Sequence, residues 1–307
     1  MLRFLAARLA LALPVLFLVA TLVFLLIHLV PGDPVQQMLG ESARAGEVSQ
    51  VRHAWGLDLP LRTQYGHFLA GLARGDLGRS FKFNQPVRDV VLSRYPATLQ
   101  LTIAALVLAL AVAIPCGVES AVSKNRWQDK TLGFLSLLGL SFPTFALGPV
   151  LILVFSIALG WLPVSGRGTL AHLILPSVTM GSAVAAILTR MVRASMLDEL
   201  GRDYIRTARA KGLREHAVVY RHALRNGLIP VLTVAGLQFG SLLAGAIVTE
   251  TIFSWPGIGR LTMQAISARD YPLTQGCLLA IAVTYLLVNL VTDLLYGVLD
   301  PRIRTAA

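Results

Sequence analysis

Long apolar runs alternate with short polar segments along most of the chain. Six of these runs carry no charged residue and reach the roughly 20 residues that an α-helix needs to span a bilayer. They lie between Arg8 and His28 and at 95–117, 131–161, 168–189, 226–249 and 271–292. The pattern predicts an all-α polytopic membrane protein with six transmembrane helices.

Two of the runs have features of their own. The first follows Arg3 and Arg8, as the apolar part of a signal peptide would. It exceeds the usual length of about 7–15 residues for such a part, and no A-x-A cleavage site follows, so we expect an uncleaved helix. The third run holds Pro143 and Pro149 and is long enough for a kinked helix with a short re-entry.

The basic residues predict which side of the membrane each polar segment occupies. With the N-terminus inside, more than half of the 27 Lys and Arg residues fall in inner segments, and the short outer loops hold only Arg167, Arg260 and Arg269. The long segment 31–95 is discounted, because a loop of that length crosses largely regardless of its charge. With six spans, both termini are expected in the cytosol.

Composition supports a membrane protein over two other classes. The chain of 307 residues is 55% hydrophobic and 14% charged, whereas soluble domains carry about 25% charged residues. The net charge of +11 would suit nucleic acid, but the basic residues lie between apolar runs, so no nucleic-acid partner is expected. Cys116 and Cys277 lie in separate apolar runs and are expected as buried thiols.

The predicted topology divides the chain into three parts. These are an N-terminal tail with the first helix at 1–30, an external segment of short helices at 31–95, and a five-helix core at 96–307. The external segment begins with PGDP, which ends the first helix. His53 and His67 lie in this segment, and their spacing fits no common metal signature.

The polar segment 197–230 is the longest on the inner side, and it has internal order. Asp203 can accept hydrogen bonds from the free N–H groups of a short helix predicted at 204–211. Gly212 follows, where a helix end favours a residue that tolerates positive φ. A second helix is predicted at 214–224. The succession of helix, glycine and helix indicates a docking element.

Carboxylates near the span ends are the candidate pathway residues. Glu119, Glu250 and Asp293 lie where water or lipid headgroups reach, so boundary or subunit contacts are expected for them. Glu250 is favoured among the three to face the pathway or its outer gate, together with Gln238 and Ser241 on the same span. Small residues in the spans predict close helix packing: Gly181, Ser182, Gly236, Gly240, Ser241 and Gly245.

Neither an ATP site nor a catalytic site is recognisable. None of the four lysines follows a glycine, so the G-x-x-x-x-G-K-[ST] loop is absent and ATP would have to be bound by another polypeptide. The span centres carry no carboxylate for proton or sodium coupling. No H-E-x-x-H motif is present, and Gly139-Leu140-Ser141 matches a serine elbow only in part. No catalytic residue, metal ligand or bound cofactor is predicted.

The inner loop resembles the EAA signature of permease subunits in bacterial ABC importers. Arg206-Thr207-Ala208 followed by Gly212 carries this likeness, with Arg and Thr in place of the consensus Glu and Ala, as is typical of the dipeptide/oligopeptide/nickel branch. Further matches are HLVPGDPV at 28–35, GLDLPL at 56–61, GDLGRS at 75–80, SFPTFALG at 141–148, HALRNGLIPV at 222–231, GAIVTETIFSWPGIGR at 245–260 and the ending VTDLLYGVLDPRIR. The chain resembles this branch over nearly its whole length, dipeptide permease subunits most and glutathione permease subunits nearly as much.

The resemblance implies a type I ABC importer permease (MetI-like) fold in the bacterial inner membrane. In such systems a second homologous permease subunit completes the pathway, two cytosolic ATPase subunits use ATP and Mg²⁺, and an extracytoplasmic binding protein delivers substrate. The inner loop would hold a coupling helix seated on an ATPase subunit, formed by Asp203, Tyr204, Arg206, Thr207, Ala208, Arg209, Ala210, Lys211, Gly212 and Arg214. Of these, Arg206, Arg209 and Arg214 would pair with carboxylates of the partner.

Two classes of function follow from the sequence. One is the permease subunit of an ATP-driven importer of dipeptides or short peptides, with glutathione, longer oligopeptides or nickel chelates as alternative substrates. The other is a self-sufficient secondary transporter, which would move solute without partners. The absence of carboxylates at the span centres and the ordered inner loop favour the first class.

Overall fold

The computed structural model describes residues 2–29, 34–39 and 45–299, and these residues are mainly helical. The helices are α1 (Leu2–Leu29), α2 (Pro34–Leu39), α3 (Ala45–Ala54), α4 (Leu61–Ala73), α5 (Val87–Val122), α6 (Trp127–Ser141), α7 (Thr144–Leu151), α8 (Leu170–Leu200), α9 (Asp203–Ala210), α10 (Glu215–Ala217), α11 (Leu224–Ile252), α12 (Ile258–Ser267) and α13 (Tyr271–Leu299). Within the described ranges the extended pairing is limited to an isolated bridge between Arg79 and Pro86. The predicted all-α class is confirmed.

Four helical stretches of the described chain are long and apolar enough to cross a membrane: Val87–Val122, Leu170–Leu200, Glu215–Ile252 and Tyr271–Thr292. The bent pair formed by α6 and α7 is a fifth candidate if it is one span. The first predicted run lies in α1, where the apolar stretch Leu11–Leu25 is shorter than the other candidates. Six spans and cytosolic termini therefore stay predictions.

The kink predicted in the third run is confirmed at Pro143. Phe142 is extended, with φ −83° and ψ 115°, because the ring of a proline disfavours the helical conformation of the residue before it. Helix α6 consequently ends at Ser141, α7 begins at Thr144, and the two parts are bent by 102°. Wide π-helical turns extend α7 from Ile152 to Ala158.

The chain forms two compact units. One consists of Leu99–Trp255 with the chain from Leu287 onward, and the other of Leu2–Thr98 with Pro256–Leu286. The three parts predicted from the sequence, with boundaries at residues 31 and 95, were defined by membrane topology and not by packing. They stay a prediction.

Glycines allow close helix packing in the first unit. A Cβ added at Gly181 of α8 would lie 2.7 Å from the carbonyl oxygen of Ala105 on α5. One added at Gly236 of α11 would lie 2.7 Å from Oγ1 of Thr292 on α13. The predicted close packing is confirmed at these two glycines. At Gly245, by contrast, no atom of the described chain lies within 4 Å of such a Cβ.

The second unit has an apolar core between the beginning of α5, helix α12 and the beginning of α13. Its buried members are Val87, Val90, Val91, Ile258, Leu261, Ala265, Leu273 and Cys277. Cys277 is thus a buried free thiol, as predicted, whereas Cys116 is only half-buried. The spacing of Ile258, Leu261 and Ala265 places the apolar residues of α12 on one face.

Asp270, which directly precedes α13, fastens the loop after α4 to this core. Its carboxylate accepts hydrogen bonds from Ser80 Oγ at 2.5 Å, from the Lys82 backbone N–H at 3.0 Å and from the Leu273 backbone N–H at 3.1 Å. The last of these caps the helix, since it satisfies an N–H of the first turn. Although Asp270 is fully buried, its charge is therefore well solvated by donors.

Candidate functional site

Helix α9 is a two-turn amphipathic helix in the segment 197–230, which the sequence assigned to the inner side. Ile205 is 0% exposed and Ala208 is also buried, and residues three apart lie on one helical face. The other residues of α9 are exposed: Asp203, Tyr204, Arg206, Thr207, Arg209 and Ala210. One face is thus anchored to the protein, and the opposite face is polar and accessible.

The turn that ends α9 is closed by Gly212. This residue has φ +75°, as predicted, in the region that is costly for residues with a Cβ. Its N–H donates to the Arg209 carbonyl at 2.9 Å, and the Leu213 N–H donates to the Ala208 carbonyl at 3.4 Å. This pair of hydrogen bonds is a Schellman motif, which satisfies two carbonyls at the end of the helix.

The predicted capping role of Asp203 is wrong. The residue before the first helical residue is Arg202, which is extended and makes no capping hydrogen bond through its side chain. Asp203 is already in the first turn, where a carboxylate still interacts favourably with the helix dipole. Its Oδ1 lies 3.3 Å from Nη1 of Arg206, and both side chains are largely exposed, so the ion pair contributes little to stability.

The second helix of the loop is also different from the prediction. It does not end at residue 224, because α10 continues through π-helical turns at Val218–Ala223 directly into α11, giving a continuous helix over Glu215–Ile252. Neither a glycine nor a proline occurs between residues 215 and 226 to stop it. The segment 197–230 therefore contains one short helix followed by the beginning of a long one.

The arginines of the loop are paired within the chain more than the sequence suggested. Arg209 contacts Glu215 through Nη2 at 2.6 Å and Nε at 3.1 Å, across the Gly212 turn. Arg206 contacts Asp203, as described above. Within the described residues Arg214 makes no ion pair, and it is exposed. Partner carboxylates would thus meet Arg214 directly, but Arg209 only if its bond to Glu215 is exchanged.

Tyr204 connects α9 to the helices on either side. Its hydroxyl donates to Glu199 Oε2 at 2.6 Å and accepts from Asn226 Nδ2 at 3.1 Å. Burial raises the pKa of the Tyr204 phenol, and the hydrogen bond to Glu199 raises it further. Sequence reasoning missed both partners. Asn226 lies 22 positions from Tyr204 and meets it only through the fold, whereas Glu199 is five positions away, on the preceding helix α8.

The pathway candidates lie on α11 but are not brought together. Glu250 is 0% exposed, so the prediction that water or headgroups reach it is wrong. Ser241 is exposed and Gln238 half-buried, one helical turn apart. At 100° per residue, Glu250 is about 180° around the helix from Ser241 and about 14 Å along it. Glu119 is exposed, as predicted, and the side chain of Asp293 lies outside the described residues.

Arg167, which the sequence placed in an outer loop, fastens that loop to its own unit. Its Nε and Nη2 donate to Gln100 Oε1 at 3.1 and 2.8 Å, and its guanidinium lies 5.8 Å from the ring centre of Trp255. The neighbouring Gly166 N–H donates to the Phe253 carbonyl at 2.9 Å. The loop before α8 is thereby held against the end of α11.

A cavity of about 730 Å³ in the second unit is lined by the segment 54–84 together with Phe24 of α1 and the beginning of α13. Trp55 and Phe81, which stack with ring centres 3.7 Å apart, are part of this lining. Polar groups complete the lining, among them Gln64, His67, Asp76, Arg79, Lys82 and Gln275. Beside it, His53 Nδ1 contacts Asp58 Oδ2 at 2.6 Å, which closes the turn between α3 and α4.

Two family models match the chain. The model described as "Binding-protein-dependent transport system inner membrane component" matches residues 113–305. A companion model for the N-terminal part of the membrane components of such systems matches residues 1–102. Together they cover nearly the whole sequence.

Relatives and solved structures agree with these models. The glutathione transport system permease protein GsiC of Escherichia coli strain K12 is 47% identical over 304 residues, 99% of each chain. GsiC of Shigella boydii serotype 4 is 46% identical over the same length. A chain of the inward-facing MetNI methionine ABC transporter matches with a TM-score of 0.57 at 17% identity, covering 69% of this chain and 96% of that one. An amino acid ABC transporter chain matches at 0.50 and 15%, covering 70% and 94%. At these identities the structures show a shared fold.

Proposed function

Because the chain belongs to the family of binding-protein-dependent transport system inner membrane components, and is thus a multi-pass permease subunit of an ABC importer, we propose that α9 is its coupling helix. In this role the exposed face of α9 docks on a cytosolic ATPase subunit. The residues that form the docking surface are Asp203, Tyr204, Arg206, Thr207, Arg209, Ala210, Lys211, Gly212 and Arg214. Ala208, which the sequence also placed in this surface, is buried and anchors the opposite face of α9.

The observation that supports this proposal most is how firmly α9 is fixed to the rest of the protein. A two-turn helix is unstable in isolation, yet α9 is fixed by the buried Ile205, by the Tyr204 bonds to Glu199 and Asn226, and by the Gly212 turn. A polar face held so firmly can transmit a push from a partner as rigid-body movement of the attached spans.

The partners follow from the class of transporter. Such a permease works with an ATPase and a substrate-binding protein. We expect a second, homologous permease subunit to complete the pathway, two ATPase subunits to use ATP and Mg²⁺, and an extracytoplasmic binding protein to contact the external segment. The cavity that Trp55 and Phe81 help to line gives that segment a structured, concave surface for such contact.

The substrate is expected to be a short peptide, with glutathione as the first candidate. Glutathione is the substrate for which relatives that are 46–47% identical over 99% of the chain are named. A dipeptide, which the sequence favoured, comes second, followed by longer oligopeptides and nickel chelates. Gln238 and Ser241 on α11 are the pathway residues we propose. Glu250, which is buried about 180° around the helix from Ser241, is proposed for a gate that is separate from these two residues.

The test is to purify the tagged chain gently from its native membrane and to identify the proteins that come with it. The wild type is expected to bring a homologous permease subunit and ATPase subunits. Gly212→Pro should lose the ATPases while the chain still inserts, because proline cannot adopt φ +75° and has no N–H for the Arg209 carbonyl. Arg206→Ala is expected to weaken the same contact.

Gly201→Ala is the matched control, because Gly201 ends α8 with an ordinary φ of −80° and an added Cβ would meet only normal contacts. Vesicles that contain the purified complex then report ATP-dependent uptake of glutathione and of dipeptides in the presence of the binding protein. A chain that purifies alone and still moves solute would overturn the proposal in favour of a self-sufficient transporter.

A further inference from the structure

A buried carboxylate organises the corner between α5 and α6. Asp129 is 7% exposed, and each of its oxygens accepts two hydrogen bonds. Oδ1 accepts from Arg193 Nε at 2.7 Å and Ser120 Oγ at 2.6 Å, and Oδ2 accepts from Arg193 Nη2 at 2.8 Å and the Asn125 N–H at 2.9 Å. The carboxylate is therefore fully satisfied, and its bond to the guanidinium is bidentate.

The four hydrogen bonds come from two sources. Ser120 and Asn125 belong to the corner itself, where Asn125 adopts φ +64° in the tight turn that joins the two helices. Arg193 belongs to α8, 64 positions later in the sequence. Asp129 consequently holds the shape of the corner with two bonds and fixes the corner to α8 with the other two.

The same part of α8 is also bound to α11 on another side. Ser195 Oγ donates to the Gly227 carbonyl at 2.8 Å, and a Cβ added at Gly227 would lie 3.3 Å from the sulfur of the buried Met196. Tyr204 adds the bonds to Glu199 and Asn226 described above. The last turns of α8 thus connect the corner, α9 and the beginning of α11.

The chemical nature of the connection is informative. A buried ion pair adds little net stability, because its desolvation offsets most of the attraction, and an apolar pair of similar size would serve stability as well. A bidentate pair does fix the relative orientation of the two elements that carry it. A fixed orientation relative to α8 would let the corner between α5 and α6 move together with α8 as one rigid body.

We propose that Asp129 and Arg193 are positioning residues for transport, which make the α5–α6 corner move together with α9. ATPase closure on α9 would then displace α6 as well as the two spans that flank the docking loop. This inference rests on the proposed docking role of α9, and it adds a third membrane element to the part that the ATPase drives.

The first experiment measures the movement directly. Thr131 at the beginning of α6 and Arg202 directly before α9 are both exposed, and neither belongs to the proposed docking surface. Each can therefore carry a spin label after substitution by Cys, with Cys116 and Cys277 replaced by Ala. In the assembled transporter the distance between the labels should be narrow and equal without nucleotide and with ATP. In Asp129→Asn the distribution should broaden and shift when ATP binds.

Glu119→Gln is the matched control, since it makes the same chemical change on an exposed side chain near the end of α5. It should behave as the wild type does. A wild-type distance that changes with ATP, or an Asp129→Asn distance that stays narrow and constant, would overturn the inference.

A second measurement guards against misfolding of Asp129→Asn. Arg193→Lys keeps the charge but loses the bidentate bond. Both variants should still co-purify with ATPase subunits and hydrolyse ATP, while substrate imported per ATP falls by about tenfold, within the range of ordinary coupling energies. Unchanged import per ATP, or loss of the ATPases from these variants, would contradict a positioning role. If Gly212→Pro keeps its ATPases, the docking proposal itself fails.

Discussion

Carboxylates of this protein differ in how many donors they meet, and that number determines what their removal does. Asp203 has one exposed arginine beside it, whereas Asp270 and Asp129 are buried and accept bonds from several groups. Sequence position alone does not separate these cases, since Asp203 was the one expected to cap a helix and Asp270 is the one that does. The distinction depends on donors such as Ser80, which are distant in sequence.

Replacing Asp270 by Ala is expected to destabilise the second unit by about 1–3 kcal/mol, because Ser80 Oγ and two backbone N–H groups lose their acceptor in a buried site. The measurement is thermal unfolding of the detergent-solubilised protein. Asp89→Ala, at an exposed position in the first turn of α5, is the control and should cost less. Equal melting temperatures for the two variants would contradict the capping role.

The pair His53–Asp58 predicts a pH dependence in the external segment. The hydrogen bond to Asp58 raises the pKa of His53 above 6.5, and the same bond lowers the pKa of Asp58. Between about pH 4 and pH 6.5 the imidazole of His53 is therefore protonated and the carboxyl group of Asp58 is ionised, so both partners of the ion pair are charged. It is lost as pH rises through the raised pKa of His53, and also as pH falls through the lowered pKa of Asp58.

The check is an NMR titration of His53 in the wild type and in Asp58→Asn. The wild-type midpoint should lie above that of the variant, which should return toward 6.5. Identical midpoints would show that the contact does not persist in solution.

Helices as whole elements were the most predictable level of the structure. Uncharged runs marked five membrane-crossing candidates, and Pro143 marked the bend between α6 and α7, because both signals are local. The end of the second loop helix was not predictable in the same way. No residue there stops the chain, so α10 runs into α11, and the wide turns between them have no sequence signature. The docking residues stay a prediction at this level.

Close packing of α5 on α8 gives the test at this scale. Gly181→Ala should destabilise the protein by about 1–3 kcal/mol, because the added Cβ would lie 2.7 Å from a backbone oxygen that cannot turn away. Gly133→Ala on α6 has open space around the Cβ and should stabilise slightly, since Ala is the better helix former. Thermal unfolding of both variants decides the matter, and a Gly181→Ala protein as stable as Gly133→Ala would contradict the close approach.

At the scale of the whole molecule, the distribution of basic residues predicts what the described helices alone leave open, namely which side of the membrane each loop faces. If the bent pair of α6 and α7 crosses once, three spans separate the external segment from α9, and the two lie on opposite sides. A re-entrant pair would put them on the same side. The class of transporter could be inferred from the sequence because its motifs are spread over the chain, while substrate choice left no such motif.

Labelling of single cysteines distinguishes these arrangements. On a background with Cys116 and Cys277 replaced by Ala, Ser49→Cys in the external segment should react with a membrane-impermeant maleimide in intact spheroplasts. Arg202→Cys, directly before α9 and outside the proposed docking surface, should react only after the membrane is permeabilised. Both positions are exposed, so access to the membrane side and not burial sets the result. Labelling of both in intact spheroplasts would contradict a single crossing by α6 and α7.

The π-helical turns at Val218–Ala223 have a consequence for how this loop can change. Each residue of an α-helix advances the chain by 100°, and a π turn takes one residue more than an α turn to come around. Deleting one residue there would restore ordinary α-helical turns and leave the direction of α9 nearly unchanged, because the wide turns already hold one residue more than α turns need. A residue deleted from the regular part of α11 would instead rotate everything before it by about 100° about the helix axis. The wide turns are therefore the place in this helix where one residue can be lost without turning α9 away from its present direction.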